Sequence, residues 1–100
     1  MATGTIKNAL PILFKNVQRT VTQNSDSDYW GMQEAFPPKS GYSRVIFGLR
    51  SSNQLVAVTG WEFGDDNIPR WLTRKFTSAS VSNVTLYATM IYLPDVNIWS

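Results

Sequence analysis

One hundred residues with nine Lys or Arg against seven Asp or Glu carry a net charge of +2, and neither cysteine nor histidine occurs. This excludes disulfides, thiolate or imidazole catalysis and zinc sites of the Cys/His type. A hydrophobic content of 43% excludes a disordered chain, and a domain of this length buries roughly two-thirds of its unfolded surface, enough to fold alone with a narrow margin.

Charged residues make up 16% of the chain, below the usual ~25%, so the surface is built more from Ser, Thr, Asn and Gln. Basic residues are spread from Lys7 to Lys75, and Glu62, Asp65 and Asp66 stand just ahead of Arg70, Arg74 and Lys75. That mixture is unlike the single basic face of a nucleic-acid binder, so no nucleic-acid partner is expected. The apolar run Ala9 to Phe14 is too short to span a membrane or to form a signal-peptide core. A soluble product made in the cytoplasm, without membrane insertion, is therefore expected.

Residues 1–9 read as a flexible start, followed by a single β domain over 10–100. Leu10 to Thr22 is ambiguous. Leu10, Leu13, Phe14, Val17 and Val21 fall at helical spacing, and Pro11 suits a first helical turn. Against this, Val17, Arg19 and Val21 alternate and Thr20-Val21-Thr22 favours a pleated surface, so the second half is expected as a strand. Gln23 to Asp28 is a cluster of turn residues, and Phe36-Pro37-Pro38-Lys39-Ser40-Gly41 is a loop.

From Tyr42 the alternation is clear. Tyr42 to Arg50 is a predicted strand with Val45, Phe47 and Leu49 on one face. Ser51-Ser52-Asn53 then reads as the turn of a β-hairpin into a strand over Gln54 to Thr59. Gly60 and Gly64 flank Trp61-Glu62-Phe63, and at least one is expected at positive φ in a bulge or turn. Pro69 precedes a strand over Arg70 to Thr77, in which Leu72, Arg74 and Phe76 alternate with Trp71, Thr73 and Lys75. Val84 to Leu93 is the clearest strand, with Val84, Leu86, Ala88, Met90 and Tyr92 on one face. Its other face carries Thr85, Tyr87, Thr89, Ile91 and Leu93, which marks a central strand or one that meets a partner subunit. Short strands with turn signals every 8–12 residues predict an all-β fold, a small antiparallel β-sandwich or jelly-roll-like barrel.

The chemistry of the side chains points to binding. Glu62 with Asp65 or Asp66 is the one candidate carboxylate pair for sugar-bond hydrolysis, but acids around a glycine-containing turn serve as turn formers. Asp26, Asp28 and the Asp65-Asp66-Asn67 run lack the offsets of a calcium loop, so no metal site is expected. No phosphate cradle or dinucleotide fingerprint is present, and no cofactor is expected. The aromatic content is high, at 13%, with tryptophan at 30, 61, 71 and 99. Most such rings fill the space between sheets, while those beside turns are placed to stack on a ligand. The candidate binding residues are therefore Trp30 with Tyr29 and Asp28, and Trp61 with Glu62 and Asn67.

The succession of features from Val17 to Leu93 resembles the small C-terminal modules of bacteriophage tail-fibre and other receptor-binding or virion accessory proteins. The pieces that carry the resemblance are the Thr20-Val21-Thr22 strand, the turn into Tyr29-Trp30 and the strand from Tyr42 to Leu49. Its Ser-Ser-Asn turn into Leu55 to Val58, Trp71 and the closing run from Val84 to Leu93 complete the set. The resemblance implies a β-sandwich, homotrimeric, carried on a virion and recognising a host-surface glycan or protein without catalysis. Self-association through the apolar strand Val84 to Leu93 is expected, unless the segment Leu10 to Val17 covers its second face. The competing readings are a small intracellular protein that inhibits a partner by blocking its surface and, last, a glycan-active enzyme.

Overall fold

The computed structural model describes residues 11–64 and 66–95, so the flexible start expected over 1–9 lies outside the described residues. The described chain is all β, in six strands: β1 (Leu13–Gln23), β2 (Ser27–Gly31), β3 (Tyr42–Ser51), β4 (Val56–Phe63), β5 (Pro69–Lys75) and β6 (Val81–Pro94). They form two three-stranded sheets ordered β1-β6-β3 and β2-β5-β4, with every pairing antiparallel. The ambiguous N-terminal segment is a strand from Leu13 onward. Its alternating Val17 and Val21 pair with Ala88 and Val84 of β6, and that burial outweighs the helical spacing.

The two sheets pack face to face around the even-numbered side of β6. Val84, Leu86, Ala88 and Met90 are buried, as the alternation predicted, with Tyr92 half-buried at the end of the row. Val17, Val21 and Ile46 flank them, and Trp71 and Val56 close the layer from the opposite sheet. Part of the interior is polar. Thr73 donates to Gln23 Oε1 at 2.6 Å, and the Trp30 indole N–H shares both of those oxygens. No buried side-chain nitrogen or oxygen among the described residues lacks a partner, the condition under which buried polar groups are tolerated.

Three local expectations are corrected. β3 and β4 do not form a hairpin: β3 pairs with β6 and β4 with β5, so the Ser51–Asn53 turn carries the chain from one sheet to the other. Ser51 Oγ accepts from the Asn53 N–H and Asn53 Oδ1 from the Leu55 N–H, which bends the backbone too sharply for a ladder to continue. The hairpin is β4–β5 instead, closed by hydrogen bonds between Gly64 and both Ile68 and Asn67.

The second correction concerns β3. Val45 and Phe47 do share a face, but Leu49 points inward. Between Phe47, opposite Thr89, and Arg50, opposite Tyr87, two residues of β3 face one of β6. This bulge is built on Gly48 at φ +68 and resets the alternation.

The third is that neither Gly60 nor Gly64 has a positive φ; among the described residues the glycines that do are Gly41 and Gly48. A bulge does occur between Val58 and Gly60, with no positive φ in it. Gly64 is instead a place of close approach, since the Arg70 guanidinium lies directly over it. The in-strand position that requires glycine is therefore Gly48. Alanine there would meet only Thr89 Oγ1, at an ordinary 3.7 Å, so the cost is conformational. Gly48→Ala is expected to lower stability by about 1–2 kcal/mol, read as a lower denaturant midpoint at unchanged slope.

Candidate functional site

Strand parity sets the outer face of β2-β5-β4. Trp71, Thr73 and Lys75 point into the sandwich, so Arg70, Leu72 and Arg74 point out from the central strand. The register places Tyr29 of β2 opposite Leu72, with Ser27 opposite Arg74 and Gly31 opposite Arg70. From the other side Gly60 meets Leu72, Ala57 meets Arg74 and Glu62 meets Arg70. The result is a strip of apolar surface, Tyr29 and Leu72, crossing the sheet between two rows that each carry an arginine.

Tyr29 is 61% exposed, so one ring face is open to solvent. The Arg70 guanidinium stands 5.7 Å from the ring centre, a cation–π arrangement that steadies the aromatic without covering it. Its seat over Gly64 fixes the guanidinium from behind. The Thr59 hydroxyl donates to the Leu72 carbonyl at 3.2 Å and keeps a free acceptor on the surface. A shallow depression of about 450 Å³ runs between Tyr29, Leu72, Thr59 and Arg74. Arg74 is exposed, and among the described residues the ion pair formed is elsewhere, Lys15 with Glu34 at 2.6 Å. Arg74 thus presents its fork of donors to an external acceptor.

The six residues expected at a binding site divide between the two sides of this sheet. Tyr29 and Glu62 lie on the outer face, Glu62 exposed beside Arg70. Trp30 and Trp61 turn inward and pack half-buried against the core, Trp30 bonded to Gln23 and Thr73 and Trp61 edge-on to Phe63 at 5.0 Å. Asp28 is half-buried, and its Oδ1 accepts from the Tyr29 N–H at 2.8 Å, which fixes the backbone that carries the ring. Asn67 is a turn residue at φ 61 whose Oδ1 accepts from Arg44. Of the acids weighed as a hydrolytic pair, Asp66 caps the Ile68 N–H and Asp65 lies outside the described residues.

Arg70, Leu72, Arg74 and Thr59 were not singled out from the sequence. The β5 alternation did set Leu72 and Arg74 apart from Trp71, but it carried no sign that Tyr29 would be paired with them. A second recess, about 200 Å³ between Leu13, Phe14, Phe36, Met90 and Tyr92, is below the ~300–1,000 Å³ of ordinary ligand pockets. Comparison of the chain with protein-family models, with curated proteins and with solved structures finds no match.

Proposed function

We propose that the chain is a non-enzymatic binding module that takes a glycan on the outer face of β2-β5-β4, as a tail-fibre-like or accessory component of a virion recognising its host's surface. The observation that carries this reading is the open Tyr29 ring, held on a rigid sheet with the Leu72 side chain beside it and an arginine on either side. The apolar face of a sugar ring stacks on such an aromatic, and its hydroxyls are met by guanidinium donors and by the Thr59 and Ser27 oxygens. A flat, shallow surface suits an extended chain of sugars better than a small metabolite, which needs an enclosing pocket. The two-sheet fold agrees with the architecture that the sequence resemblance implies. Binding without catalysis is supported by the placement of the acids: Glu62 is the one carboxylate that the described strand residues put on this face, and Asp28 and Asp66 are engaged with backbone N–H groups, whereas sugar-bond hydrolysis uses a pair.

A glycan array probed with the purified chain tests the reading. Binding to a defined set of glycans is expected, and Tyr29→Ala should weaken it about tenfold, the equivalent of ~1.4 kcal/mol, with no change in melting temperature because the ring is exposed. Silence across the array, or affinity indifferent to Tyr29→Ala, rejects the proposed site.

A further inference from the structure

The outer face of the other sheet has a different character. The register of β1-β6-β3 brings Phe14 and Val45 to either side of Ile91, with Phe47 and Leu93 adjoining them. Phe14 is 67% exposed and Phe47 49%, and Ile12 continues the row beyond β1. These side chains form one contiguous apolar patch at one end of the sheet, of the kind that marks an interaction site. The alternative, cover by the segment Leu10 to Val17, does not hold from Leu13 onward: there the chain lies beside β6, in the same sheet, and adds Phe14 to the patch.

We propose that this face docks on the same face of a second copy of the chain, forming a two-fold dimer. Charge is the first argument. The described residues of the three strands put no carboxylate on this face, and the one cation is Arg50, held 3.9 Å over the Tyr87 ring. An acidic or basic partner would therefore find little to pair with, whereas a copy brings the same near-neutral surface. A two-fold axis in the plane of the face, through Ile91 and parallel to the strands, keeps the two Arg50 side chains about 10 Å apart, because each β3 lies ~4.8 Å to one side of its β6. At physiological salt that separation is screened.

Area is the second argument. Three strands at ~4.8 Å spacing and about ten residues at ~3.3 Å give a flat face of roughly 500 Å², before side-chain relief is added. This brings the face within reach of the ~800 Å² per partner found in ordinary stable interfaces, with the apolar cluster around Ile91 at one end and Asn16, Gln18 and Thr20 along the rest of β1. A single flat face that matches itself closes after two copies, so the geometry favours a dimer over the trimer implied by the resemblance. The Tyr29 faces then point away from each other on opposite sides of the dimer. The proposal does not depend on what those faces bind.

Sedimentation equilibrium at low micromolar concentration tests it, on the unmodified chain and on Phe47→Glu and Tyr29→Ala. Expected are twice the 11.3 kDa chain mass for the unmodified protein and for Tyr29→Ala, and the single-chain mass for Phe47→Glu. Phe47 is outward-facing, so its variant should keep the melting temperature and circular dichroism of a folded domain. A monomeric unmodified chain, or a trimer, overturns the proposal. So does a dimer that persists in folded Phe47→Glu, or one that dissolves in Tyr29→Ala, which would place the contact on the other sheet. Should Phe47→Glu fail to fold, Phe14→Lys on the opposite side of Ile91 serves as the same test.

Discussion

Trp71→Ala is expected to cost about 3–5 kcal/mol, the range for emptying a fully buried aromatic site, and so to take most of the stability of a domain this small. Trp71 is 0% exposed and sits on the central strand of its sheet, where its ring spans the gap to β6. It also ties the two layers together, since its indole N–H donates to the Tyr87 carbonyl at 3.0 Å. Truncation removes the packing and this inter-sheet hydrogen bond at once. Trp71→Phe keeps most of the volume but loses the donor, and should fall well short of the alanine cost. Urea unfolding of the three proteins checks the ordering. A loss below about 1 kcal/mol for Trp71→Ala would show that the layers close over the gap and that the core does not depend on this ring.

Lys75→Met is expected to destabilise the domain by about 2 kcal/mol although methionine matches the length and apolar character of the lysine stem. Lys75 points into the sandwich and is 6% exposed. Its ammonium donates to three main-chain carbonyls, those of Asn24 at 2.9 Å, Ala79 at 3.2 Å and Ser78 at 3.5 Å. Three donors meet three acceptors, which is how a buried cation is kept without a carboxylate partner. The residue thereby ties the β1–β2 link to the β5–β6 link at one end of the molecule. Loss of the ammonium should show as faster amide exchange and easier proteolysis at Asn24–Asp26 and Phe76–Ser80, ahead of any global change. Equal exchange rates in both links before and after substitution would contradict the role assigned to it.

The elements of this fold were legible where a strand has one dry and one wet face. The alternation from Val84 to Met90 located β6 and its buried side, and that of Arg70 to Lys75 located β5. Partnership was far less legible, because pairing is decided by long-range register that no local pattern records. The Ser51–Asn53 turn looked like a hairpin because polar residues separate two alternating runs, and nothing in those residues says that each run has another partner. Leu49 was assigned to the wrong side for a similar reason: a bulge at Gly48 shifts the parity, and a glycine in a strand signals a bulge only once its neighbours are known. The candidate site followed the same rule. Tyr29 was singled out, but adjacent strand residues point to opposite faces, so Trp30 could not lie on the same surface. The arginines and Leu72 came to Tyr29 from a strand more than forty residues away.

The sheet order also sets a timetable for synthesis. Among the described residues β1 and β3 have β6 as their sole paired neighbour, and β2 and β4 have β5. Val17 must wait for Ala88, which at a ribosomal rate of ~5–20 residues per second is a delay on the order of 4–14 s. During that interval the chain can complete only the β4–β5 hairpin and the pairing of β2 with it, while the valines of β1 and the apolar residues of β3 have no strand to join. Assembly is therefore a late, nearly concerted event, of the kind in which distant strands meet slowly. A nascent chain stalled before Val81 would hold one sheet and two unpaired strands, a species for a chaperone to shield rather than a smaller version of the same sandwich.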